Sequence, residues 1–127
     1  MLSLHSNIRY FLYQGRTDMR KSFDGLCGLV TNEMHQAVIS GDVFIFLNKR
    51  KTHIKLLVWE ADGFAIYYKR LEQGTYEFPD GSSPEKSLSI TYTRLMLLLQ
   101  GVSLKKVHYR KRYQKIQKLS TTELVKE

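Results

Sequence analysis

Apolar residues change their spacing along this chain, and each spacing predicts an element. Residues 8–13, IRYFLY, are rich in β-branched and aromatic side chains and stop just before Gly15, which predicts a strand. Phe23, Leu26, Cys27, Val30 and Met34 then fall at i, i+3, i+4, i+7 and i+11. That single stripe predicts a helix from Phe23 to about Gln36, with Ser22 as its cap. Three strand-like runs follow at hairpin spacing: VFIFLN (43–48), IKLLVW (54–59) and FAIYYKRL (64–71), joined by the short polar links KRKTH and EADG.

Alternation divides these three runs into two faces. Val43, Ile45, Leu47, Ile54, Leu56, Val58, Phe64, Ile66 and Tyr68 make one face, expected to be core. Phe44, Phe46, Lys55, Leu57, Trp59, Ala65, Tyr67 and Lys69 make the other, aromatic with lysines between. An aromatic face this large does not stay bare in a monomer. It is covered by a helix, covered by another copy, or used to stack bases. A second helix at 92–100, YTRLMLLLQ, with Thr91 as cap and Gly101 as stop, is the expected cover. Before it, 72–87 holds both prolines and reads as a loop.

The expected fold is therefore α+β: a small, mostly antiparallel sheet of about four strands packed with two helices. Residues 1–104 are expected to form one compact domain, and 105–127 to follow as a basic, mobile segment with sparse apolar residues. The length of 127 residues suits one domain. One cysteine, Cys27, excludes an internal disulfide framework and fits a reducing compartment. The opening MLSLHSNIRYFLY lacks the basic region and cleavage site of a signal peptide, and the longest apolar run, LMLLL, is too short for a bilayer. A soluble, cytoplasmic protein is expected.

Charge changes the picture more than composition does. The formal net charge is +8, and 105–127 carry eight Lys/Arg against two acids, leaving the first 104 residues nearly neutral. A concentrated basic block is the usual footprint of a polyanion ligand, nucleic acid foremost.

Candidate chemistry is sparse. His5, His35, His53 and His108 are not at ligand spacing with one another or with Cys27, so no metal site or cofactor is expected. Cys27 lies on the helical stripe, where a thiol behaves as a small hydrophobe. Asp18, Asp24, Asp42 and Asp62 each fall where aspartate serves a turn or helix start. GLCG at 25–28 matches a backbone-clamping GxxG only superficially, because Leu26 and Cys27 belong to the stripe. In DMRKSFDGL (18–26), Asp18 can pair with Arg20 or Lys21, and the two cations rim a helix start suited to a phosphate or an acidic partner.

The ordered set of motifs DMRKSFDGL (18–26), a Phe-rich strand and Asn at 44–48, a basic turn at 49–51, Trp59, DGF at 62–64 and YKRLE at 68–72 resembles a known family. It is similar to the accessory proteins called Orf2, or TnpB, of the bacterial insertion-sequence family numbered sixty-six. LLLQGVSLKKVHYRKRY (97–113) resembles that family's close, so the likeness spans 2–113. The family often has two alanines where this chain has Cys27 and Gly28, and Gly where it has Lys51. The resemblance implies a non-enzymatic role in transposition beside the transposase of the same element. If DNA is contacted, at the element ends, the expected residues are Arg20, Lys21, Lys49, Arg50 and Lys51, with Lys105, Lys106, Arg110, Lys111 and Arg112 of the tail. Tyr109 and Tyr113 are candidates for base stacking. With no base-reading residues paired nearby, little sequence specificity is expected. The alternative is a protein-interaction or regulatory module without direct DNA binding.

Overall fold

A computed structural model describes residues 2–77 and 84–100. They form five strands and two helices: β1 (Tyr10–Arg16), α1 (Phe23–Asn32), β2 (Val43–Leu47), β3 (His53–Trp59), β4 (Phe64–Arg70), β5 (Ser87–Ile90) and α2 (Tyr92–Leu99). One sheet runs in the order β4-β3-β2-β1-β5. Three of its four pairings are antiparallel; β1 and β2 are parallel. A parallel pair needs a crossover, and α1 supplies it. The fold is α+β, as expected, with one strand more.

That extra strand, β5, begins at the end of the stretch read as loop. Only four residues long, SLSI, it owes its existence to pairing with β1 from Tyr10↔Ile90 to Tyr13↔Ser87, and so left little local pattern. β1 itself starts and ends later than expected. It passes through Gly15, where the ladder with β2 is irregular. The Tyr13 ring folds back over this residue: a Cβ on Gly15 would lie 2.5 Å from the ring.

Each face of the sheet has its own core and its own helix. Tyr10, Leu12, Val43, Ile45, Leu47, Ile54, Leu56 and Val58 pack with Leu95 and Leu98 of α2, and with Tyr76 from the chain after β4. Tyr13, Phe44, Phe46 and Leu57 pack with Leu26 and Val30 of α1 and with Met34 just after it. The aromatic face is thus covered by a helix, but by α1 rather than the expected 92–100. The parallel β1–β2 pair explains the reversal, because the crossover helix must lie on one face and takes the aromatic one.

β4 also corrects the expected faces. Trp59 pairs with Phe64, Leu57 with Ile66 and Lys55 with Tyr68. Phe64, Ile66 and Tyr68 therefore share the α1 face, while Ala65, Tyr67 and Lys69 share the other. A shift of one residue moves every side chain of a strand to the opposite face, and the four-residue turn 60–63 sets that shift. Its Glu60 N–H donates to the Gly63 carbonyl at 2.7 Å, with Ala61 left-handed at φ 60°.

α1 ends at Asn32, short of Gln36. The chain closes it with Gln36 N–H donating to the Val30 carbonyl (3.1 Å) and His35 at φ 55°, a left-handed stop without glycine. Ser22 sits at the N-cap but makes no side-chain cap bond. Phe23, first of the stripe, is 43% exposed. In α2, Thr91 does cap, accepting the Arg94 N–H at 3.1 Å. No helix among the described residues is long and apolar enough to cross a membrane. The basic segment 105–127 lies outside the described residues.

Candidate nucleic-acid interface

Two polar stretches meet at one end of the sheet. The first is the β2–β3 turn. Asn48 Oδ1 accepts the N–H groups of Thr52 (2.9 Å) and His53 (3.0 Å), and its Nδ2 donates to Thr52 Oγ1 (3.0 Å). One asparagine thus satisfies the inside of the turn and leaves Lys49, Arg50 and Lys51 exposed. Lys51 is left-handed at φ 59°. Such a backbone costs a residue with a Cβ about 1–2 kcal/mol.

The second stretch is 18–22. The Thr17 N–H donates to the Leu47 carbonyl at 2.9 Å, which anchors this corner beside the residue preceding Asn48. Asp18 accepts the Arg20 backbone N–H (2.9 Å) and takes the Arg20 guanidinium with both oxygens (2.7–3.1 Å). From β3, Lys55 reaches underneath. Its Nζ donates to the carbonyls of Met19 (2.9 Å) and Lys21 (2.8 Å) and lies 4.6 Å from the centre of the Tyr68 ring. Lys55 is only 7% exposed. The DMRKS corner is therefore a folded latch on the sheet, with its basic residues on the outside.

Arg20 is committed to Asp18, whereas Lys21, Lys49, Arg50 and Lys51 make no ion pair among the described residues. The Arg20 hydrogen bonds hold the Asp18 carboxyl at about 2, below its ordinary 3.8. A carboxyl depressed by folding adds stability that is present above about pH 4 and is lost as pH falls towards 2. In an NMR titration Asp18 should titrate near pH 2, and Arg20→Ala should return it towards 3.8. An unchanged midpoint in that variant would contradict the assignment.

Three further cations share this end, and sequence reasoning did not single them out. Arg16 pairs in register with Leu47, Arg70 with His53 and Lys69 with Ile54. The signal was available in YYKRL, whose bases must return beside the basic turn once β3 and β4 form a hairpin. Arg70 is paired with Glu72 at 3.0 Å. The opposite end of the sheet is acidic. There Asp42 takes the Arg9 guanidinium at 2.8 Å, and Glu60 and Asp62 occupy the β3–β4 turn. The two ends of the sheet thus differ in charge, basic against acidic. Lys105, Lys106, Tyr109, Arg110, Lys111, Arg112 and Tyr113 lie outside the described residues.

Burial, then Asp24, pushes the Cys27 thiol up, away from a reactive thiolate. No group of three or more His, Cys, Asp or Glu able to hold a metal occurs among the described residues.

Comparison with known proteins agrees with the motifs. Two proteins of Sinorhizobium fredii (strain NBRC 101917 / NGR234) are similar. The uncharacterized protein y4hO is 28% identical over 102 residues, 80% of this chain and 87% of that protein. The uncharacterized protein y4jC is 29% identical over 92 residues, 68% of this chain and 79% of that protein. No solved structure matches. The family described as IS66 Orf2 like protein matches residues 8–109. The chain belongs to this family of insertion-sequence accessory proteins.

Proposed function

We propose that this protein is a non-catalytic transposition factor that grips the phosphate backbone of DNA with the basic end of its sheet and works beside the transposase of the same element. The observation carrying the reading is the convergence of Lys21 with Lys49, Arg50 and Lys51 at one end, opposite an acidic end. These are phosphate-type contacts, which position a protein and read little sequence. The tail cations Lys105, Lys106, Arg110, Lys111 and Arg112 are proposed as a second set of contacts. The non-catalytic part is supported by the aspartates. Asp18 is bound by the Arg20 guanidinium and Asp42 by that of Arg9, so both carboxylates already have structural partners.

Each phosphate contact to duplex DNA contributes about −0.9 to the slope of log affinity against log salt. Replacing Lys49, Arg50 and Lys51 together by alanine should flatten the slope by about 2.7, equally on element-end and random DNA. Deleting 105–127 should flatten it by several units more. Filter binding at a series of salt concentrations measures both. Unchanged affinity and slope in both variants would favour the protein-interaction reading instead.

A further inference from the structure

The α1 helix does not cover all of the face it packs on. It seals Phe44, Phe46 and Leu57, but Tyr68, on the same face at the edge strand β4, stays 51% exposed. That exposed ring is held in place. Lys55 Nζ lies 4.6 Å from its centre, and the His53 ring lies 6.0 Å away, tilted by 38°. Basic residues lie around it, of which Lys55 is buried and Arg70 is paired with Glu72. Lys55 ties Tyr68 to the Lys21 corner, Arg70 stands opposite His53 on the same face, and His53 directly follows the basic turn.

A fixed, half-exposed aromatic ring beside a basic turn is what a protein needs to hold an unpaired nucleotide. The cations take the backbone, and the ring takes the flat base. Duplex DNA keeps its bases stacked on one another and offers such a ring nothing. We infer that Tyr68 is a stacking platform for an unpaired base, so that the DNA preferred at this end is single-stranded. The inference deepens the phosphate-gripping reading and rests on it.

The test uses the full chain and fluorescence anisotropy with three labelled probes of equal length: a thymidine oligomer, a duplex, and an abasic oligomer with the same backbone charge. The thymidine oligomer should bind more tightly than the abasic one, by about tenfold for one stacked base. Tyr68→Leu should remove that difference, while Tyr68→Phe, which keeps the ring, should retain it. Circular dichroism melts check that both variants fold. Should Tyr68→Leu unfold, Tyr68→Val, whose side chain suits an edge strand, takes its place in the same comparison. Equal binding of those two probes would overturn the stacking platform and leave the phosphate grip standing. Binding to none of the three would overturn both.

Discussion

Replacing Phe46 by alanine should cost about 3–5 kcal/mol, the range for emptying a large aromatic site in a core that relaxes only partly. Phe46 is fully buried in β2, one of the inner strands. Its ring lies 5.9 Å from that of Tyr13, in the cluster closed by Leu26 and Val30 of α1 and by Met34 just after it. A loss of this size is a large part of the 5–15 kcal/mol that holds an ordinary domain together. Urea unfolding should show a much lower midpoint with the slope preserved. Tyr67→Ala is the contrast. That side chain is 40% exposed on the edge strand, and its loss should stay within about 0.5 kcal/mol. Equal losses would mean that α1 does not seal the aromatic face.

Lys55→Met should cost about 2 kcal/mol, although it replaces a buried charge by an apolar side chain of similar reach. Buried ammonium groups are expensive, and some are improved upon by hydrophobic replacement. Here the ammonium donates to two carbonyls of the 18–22 corner and lies against the Tyr68 ring. Methionine would leave the Met19 and Lys21 carbonyls without their donor, and hydrogen bonds from a charged group are worth about 1.5–3 kcal/mol each. The corner would also loosen, so DNA affinity should fall even though Lys55 itself is hidden from solvent. A melting temperature at or above that of the unmodified protein would show that desolvating the ammonium outweighs its bonds.

Local pattern made both helices and four strands legible, because each carries its own period and its own stops. Long-range pairing was not legible. β5 is four residues whose partner lies more than seventy positions earlier, and no window around Ser87 contains that information. The face assignment of β4 failed for a related reason. A one-residue difference in how the EADG turn closes reverses the parity of the strand, and Ala61 in a left-handed turn has no sequence signature. The cover of the aromatic face was misassigned because the parallel pairing of β1 and β2 was not foreseen. At the interface, the basic turn was evident as a run of like charge. The burial of Lys55 was not: on the expected aromatic face a lysine looks like a ligand contact, and only the carbonyls of a distant loop give it a structural task.

The route from β4 to β5 has a consequence for the lifetime of the folded chain. The two strands occupy opposite edges of the sheet, so residues 71–86 must connect points about four strand spacings, or roughly 19 Å, apart. What they deliver is small: a four-residue strand and an eight-residue helix, too short to persist alone. This closing unit should therefore open at lower free energy than the β2–β3 ladder, and its amides should exchange hydrogen first. Each opening bares Ile45 and Leu56 on the aliphatic face without disturbing α1 or the basic end. Proteases act on such openings in proportion to how often they occur. A partner that clamps α2 would then prolong the survival of this chain in the cell, whatever happens at the opposite face.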